Sequence, residues 1–298
     1  NILENNLSYN FYNDNTFFDA DINVYEDLSK EGRDKYEYLF PYLTFNKNIL
    51  TSDAYGLFDY ESILRIRNYD VDKQTEFFVN NIDWSSNKWI SKLGFDSQLK
   101  GILKTVNYNS NNEENLKSET AELSGVVGLL SKISLFKKDT SNSSYLTPKL
   151  LLRYAPGDMR PVSGGRLRYS NLYDLNKVNE IDVIEKGLSA SVGFDYSKNY
   201  IVNNNEKERF NLSMGQVINE KENSELPSST SLDQRFSDLV GSSKYNFNDN
   251  FNVNYNFALD QGYKEFNYNE LGLGLDLDKT KFNISYLEEK NHIGSQEY

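Results

Sequence analysis

The amino-acid sequence predicts an all-β fold: a partial antiparallel transmembrane β-barrel, about 14–16 strands of a larger barrel, with no significant helix. Three observations predict it. Apolar and polar side chains alternate with a period of two along the chain, many of the alternating segments are long enough to cross a bilayer, and aliphatic residues are too few to fill a soluble core.

The alternation is clearest toward the end of the chain. Phe251, Val253, Tyr255, Phe257 and Leu259 alternate with Asn252, Asn254, Asn256, Ala258 and Asp260. Successive side chains of a strand point to opposite sides, so this pattern makes one apolar and one polar surface. Leu271, Leu273, Leu275 and Leu277 repeat it against Gly272, Gly274, Asp276 and Asp278, and Phe282, Ile284 and Tyr286 repeat it again. Extended backward, the rhythm predicts strands over 7–12, 16–26, 35–47, 56–69, 73–84, 89–107, 118–137, 144–155, 164–176, 185–199, 207–219, 236–247, 250–261, 265–278 and 280–289. Many reach the roughly 9–11 residues that a tilted strand needs to span a membrane, whereas soluble strands average nearer 5–6. Aromatic residues near strand ends, such as Tyr9 and Phe11, Tyr36 and Tyr38, and Tyr196 and Tyr200, suit interfacial girdles.

Composition agrees. Hydrophobic residues make up only 38% of 298, yet there are 22 Tyr and 18 Phe. That abundance of aromatics argues against disorder and for a thin sheet with one apolar face. Connections look alternately tight (247–250, 277–280) and long and polar (108–117, 219–234), the pattern of short turns on one side of a membrane and longer loops on the other. No linker interrupts the rhythm, so residues 1–298 are expected to form one domain, an internal fragment of a longer barrel.

Several classes of function are disfavoured. A net charge of −12 is wrong for a nucleic-acid partner, which needs a basic footprint. With no cysteine, thiolate metal sites have no residues to use, and with one histidine, His292, histidine metal clusters and Ser-His-Asp catalysis are close to excluded. His292 reads as a solvated loop residue. The carboxylate pairs Glu113-Glu114 and Glu288-Glu289 are the sort of neighbours expected by chance among 44 acidic residues. Asn10 to Asn15 lack the spaced acids and turn glycine of a calcium loop. No catalytic residue, metal or cofactor is expected. Gly187, Gly193, Gly272 and Gly274 match no phosphate loop, and on strands they permit bending or the close approach of a plug.

Parity also sorts the cations. Leu64 and Ile66 share one face and Arg65 and Arg67 the other; Leu150, Leu152 and Tyr154 lie opposite Lys149 and Arg153; Leu167 and Tyr169 lie opposite Arg166 and Arg168. A lipid-facing Arg or Lys at mid-depth costs about 2–4 kcal/mol, so these six side chains are expected to face the lumen. If strands 144–155 and 164–176 pair, Lys149, Arg153, Arg166 and Arg168 form a cluster. One role for it is to hold an anionic sugar-phosphate head group or an acidic plug surface. The other is to pair with luminal acids such as Asp158 and Glu185 and stiffen the wall.

Four stretches resemble one family. Asp34 to Asn48 (DKYEYLFPYLTFNKN) is similar to an aromatic strand with a central proline in the lipopolysaccharide-assembly family LptD, also called OstA or organic-solvent-tolerance protein. Leu146, Thr147, Pro148, Lys149, Arg153, Tyr154, Pro156, Gly157, Met159 and Arg160, within LTPKLLLRYAPGDMR, resemble its most specific segment. Arg166 to Leu175 with Glu185 to Tyr196, and Phe236 to Asp260, resemble later strands in family order. The resemblance implies a barrel in the outer membrane of a Gram-negative bacterium that inserts lipopolysaccharide into the outer leaflet. It also implies a plug lipoprotein (LptE-like) in the lumen, a periplasmic Lpt bridge reached through an N-terminal jellyroll, and contact with the lipid bilayer. The family's jellyroll, its cysteines and its terminal gate strands are expected to be missing from this stretch. A general porin or TonB-dependent receptor, and a secreted β-rich adhesin, are the alternatives that alternation leaves open.

Overall fold

The computed structural model describes residues 2–297 apart from 114, 115, 117, 118, 163, 179, 203, 204, 278 and 291–295; His292, Glu114 and Asp278 lie outside the described residues. The strands are β1 (Ile2–Asn13), β2 (Thr16–Asp27), β3 (Tyr36–Ser52), β4 (Gly56–Tyr69), β5 (Lys73–Ser85), β6 (Trp89–Ile90), β7 (Asp96–Asn111), β8 (Glu119–Lys132) and β9 (Leu135–Lys138). They continue as β10 (Asn142–Ala155), β11 (Gly187–Val202), β12 (Asn205–Asn219), β13 (Leu239–Asn246), β14 (Phe251–Leu259), β15 (Phe266–Leu277), β16 (Thr280–Glu289) and β17 (Gln296–Glu297). The fold is all-β and antiparallel. Among the described residues helical geometry is limited to single 3-10 turns at Gly32–Lys35, Tyr169–Asn171 and Ser228–Thr230.

Three expected strands come out differently. Segment 89–107 divides into β6 and β7, because Ser91 to Phe95 close a tight turn in which Gly94 takes φ +86°. Segment 118–137 divides into β8 and β9. Segment 164–176 is no strand. Arg168 is extended, but the backbone then turns at Tyr169–Asn171, and these residues join no ladder.

The chain forms two compact units, one of residues 1–87, 100–127 and 181–184, the other of 88–99, 128–180 and 185–298. In the first, β1 to β5 and the Lys100–Asn111 part of β7 pair in sequence. Pro41 sits where the register toward both β2 and β4 slips between Leu39 and Tyr42, so its missing N–H breaks no ladder bond. Ile63, Phe77, Val79, Val106 and Tyr108 form a buried cluster on one face, with Leu116 and Ile181 against it. On the other face Phe78, Ile82 and Leu103 are exposed.

In the second unit β9 and then β10 to β17 pair in sequence, all antiparallel. Register joins the alternating residues into rows across the sheet. Leu152 lies beside Ala190 and then Ile218; Val253 beside Leu273 and then Ile284; Phe251 beside Leu275 and then Phe282. This apolar face is bare: Leu152, Val192, Leu271, Ile284 and Tyr286 are all exposed. A soluble sheet does the reverse. Along the same face Tyr196, Phe210, Tyr245, Phe247 and Phe251 touch in series, with ring centroids 4.7–6.4 Å apart, toward the end where β13 turns into β14. Such a band matches the headgroup level of a bilayer.

The polar face is the covered one. Leu167, Leu172, Val178, Leu226 and Leu232, from the two long connections 156–186 and 220–238, pack there against Val217, Val240, Ala258 and Tyr268. Fully burying a Leu or Val removes enough apolar surface from water to contribute about 1.5–3 kcal/mol each. The connections are therefore part of the folded body.

Candidate functional site

Residues 156–186 leave β10 through Pro156 and Gly157, whose φ of +87° turns the chain out of the strand. Two long connections then lie side by side: Val162 N–H donates to Glu225 O at 3.1 Å and Leu167 N–H to Thr230 O at 3.2 Å. Asn171 shapes the 3-10 turn, accepting from Arg168 N–H (2.7 Å) and donating through Nδ2 to Arg166 O and Lys177 O.

The turn seats on glycines. A Cβ on Gly193 would overlap Met214 O and meet the Tyr173 hydroxyl at 2.6 Å, and one on Gly215 would meet Leu172 Cδ2 at 2.5 Å. Gly193 and Gly215 are cross-strand neighbours, so together they leave a shallow trough that Leu172 and Tyr173 fill. Gly193 thus permits close approach, and what approaches is the chain's own connection. At Gly128 a Cβ would meet Leu175 at 2.6 Å.

The sequence-predicted cations sit at separate anchor points. Lys149 pairs with Asp195, and its ammonium lies 5.8 and 5.3 Å from the Tyr169 and Tyr173 rings. Asp195 also accepts from the Tyr169 hydroxyl and from Ser213 Oγ (2.7 Å). Burial and the Asp195 acceptor push the Tyr169 phenol well above its usual pKa, so it stays a donor.

Arg153 is further inside. It donates to the carbonyls of Leu175 and Glu185 and faces the Glu185 carboxylate at 3.5 Å. Lys177 Nζ approaches the same carboxylate at 3.2 Å, and Val178 N–H donates to it at 3.2 Å. The Arg153 and Lys177 side chains are each 1% exposed. Burial holds Lys177 below its usual value. Glu185 also lies below the usual carboxylate range: burial alone would raise it, but Lys177 and Arg153 outweigh that.

Arg166 donates to Asn267 O (3.0 Å) and Lys290 O (3.1 Å), meets Glu289 at 2.9 Å and lies over the Tyr268 ring, as does Arg168. The four cations expected to gather between paired strands are therefore dispersed, because 164–176 is a folded connection instead of a strand. In the first unit Arg67 makes a two-pronged bond to Glu37 (2.7 and 3.0 Å), and Arg65 lies 5.0 Å over Phe77. Within the motif, Leu146, Pro148, Leu150, Leu152 and Tyr154 line the bare face, Thr147, Lys149 and Arg153 take the covered parity, and Met159 packs on the core. Glu113 accepts from Tyr69 and pairs with Lys73, and Glu289 pairs with Arg166.

Sequence reasoning did not single out Lys177, Asp195 or Gly215. A signal was present. Leu167, Leu172, Leu175, Val178, Val183 and Ile184 recur in a connection far beyond the roughly 12–15 residues above which structureless loops are uncommon, which implies that it folds onto something.

A bare apolar face with aromatics at its edge, opposite a covered polar face, is how a strand sheet meets lipid. The sequence model of one family, described as LptD, LPS transport system D, matches residues 3–298. The chain belongs to the LptD family. It is an outer-membrane β-barrel protein of lipopolysaccharide transport. No individually curated protein matches it. As an LptD-family chain it is a transport and assembly component. Among the described residues no group of three or more His, Asp or Glu converges as metal ligands would.

Proposed function

We propose that this chain is the wall of the barrel that inserts lipopolysaccharide into the outer leaflet. The sugars pass on the covered, polar side, the acyl chains stay in the bilayer along the bare face, and no bond is made or broken. The observation that carries this reading is the predominantly apolar face that register builds from β10 to β16 opposite a polar one. It suits a cargo that is itself half sugar and half lipid. A plug lipoprotein of the LptE kind in the lumen, and a periplasmic Lpt bridge as donor, are the partners that the family resemblance supplies.

We infer that Lys149, Arg153, Arg166 and Arg67 fasten the wall and do not hold the cargo. Their carboxylate partners support this. The experiment is depletion of the gene in its own host with surface lipopolysaccharide measured by pulse labelling. Newly made lipopolysaccharide is expected to be held back from the surface and restored by the wild-type gene. Normal surface delivery after depletion would sink the proposal.

A further inference from the structure

We infer that the second unit carries a binding site for a single neutral sugar ring, in the pocket where Asp238, Asn267, Gln261 and the Ser228–Ser231 turn face one another.

The pocket has a volume of about 230 Å³ and is bounded also by Arg166 and Asp260. It is smaller than the roughly 300–1,000 Å³ of sites for larger ligands, which fits one ring and not a chain of them. It lies where β12 runs out to β13 and β14 to β15, through connections 220–238 and 260–265. Those are long compared with the 247–250 turn at the opposite end, and the long-loop end of an outer-membrane barrel faces the exterior.

Its walls hold polar groups without partners. The Asp238 carboxylate accepts from Asn267 Nδ2 at 2.9 Å through one oxygen, and the other has no hydrogen-bond partner among the described residues. Neither do the hydroxyls of Ser228, Ser229 and Ser231 or the Gln261 side-chain amide. Hydroxyls and amides donate and accept, and a carboxylate accepts strongly, so the set complements a ring of hydroxyl groups. The scaffold is rigid. Asp238 is buried, Ser237 beneath it accepts from Val217 N–H at 2.9 Å, and Thr230 Oγ1 bonds Pro227 O at 2.7 Å.

Charge argues for a neutral ring over a phosphate. Arg166 is engaged with Glu289 and two carbonyls, and Lys290 Nζ with Glu265 at 3.3 Å. Asp233, Asp238 and Asp260 line the same pocket and repel an anion. The role of the site in export, as a way station for the sugar part of the cargo, rests on the proposed function. Its occupancy by sugar does not.

The test uses the full chain as expressed in its outer membrane, purified in detergent, with glucose, galactose and N-acetylglucosamine as probes and saturation-transfer NMR as readout. At least one sugar is expected to bind in the millimolar range. Asp238→Asn is expected to weaken it about tenfold, the effect of losing a charged hydrogen-bond acceptor. The double variant Ser229→Ala with Gln261→Ala, which removes no hydrogen bond among the described residues, is expected to weaken it as well. The inference is overturned if none of the three sugars binds, if both variants bind like wild type, or if inorganic phosphate displaces the sugar. Because the assay reads binding alone, its outcome holds whether or not the chain exports lipopolysaccharide.

Discussion

Glu185 ties the covered connection to β10 through Arg153. One carboxylate serves Arg153, Lys177 and the Val178 amide, all away from water. Removing one member of such a group strands the rest. Glu185→Gln is therefore expected to lower stability by about 3–5 kcal/mol, seen as an earlier urea midpoint in detergent. Joint replacement of Arg153, Glu185 and Lys177 by Met, Leu and Met should recover most of that loss, since well-packed apolar groups need no partner. The same residue sets a pH dependence. Its carboxyl is held below the ordinary glutamate value in the folded chain, so its contribution is complete above that value and lost as pH falls through the folded one. Urea midpoints at pH 7 and pH 3 should separate more for the wild type than for Glu185→Gln; equal separations would assign the acid sensitivity elsewhere.

At the scale of the element, connection 156–186 and the strands beneath it are matched in shape. Gly215→Val would put methyl groups where Leu172 sits, and the backbone of Val192 leaves no room to yield. Overpacking of this kind costs about 1–3 kcal/mol. Limited proteolysis should then cut between Tyr169 and Lys177 sooner than in the wild type, at unchanged strand content by circular dichroism. The opposite face of the strands obeys a different solvent. Leu152→Arg or Val192→Arg points a charge at lipid and is expected to cost about 2–4 kcal/mol if the position lies at mid-depth, read as less folded barrel in outer-membrane extracts. Strand parity was legible in the sequence at every residue named in these rows, because a side chain's face depends only on its own neighbours in the chain. Segment 164–176 was not. Arg166, Leu167, Arg168 and Tyr169 do alternate, and only the absence of a strand to pair with turns that stretch into a capped 3-10 turn.

For the whole molecule, the expectation is that the covered connections are as slow to open as the sheet. Leu167 and Val162 amides bond across to the neighbouring connection, and Leu172 is fully buried. Hydrogen exchange by mass spectrometry should show peptides spanning 164–178 protected on the same timescale as those from β11 and β12; exchange within seconds would contradict this packing. The sequence by itself determined the class of fold, the two faces of the strands and the family, since alternation, strand length and motif order are written locally. Only the tertiary structure decided what the polar face does. A lysine or arginine in a polar stripe has the same sequence signature whether it meets water, cargo or a carboxylate. Glu185 stands 32 residues beyond Arg153 and Glu289 stands 123 beyond Arg166, distances that no local pattern spans. In the second unit the chain's own connections cover the polar face around Val217, Val240 and Ala258, because Leu172, Leu175 and Val178 gain more from leaving water than an open loop gains in freedom.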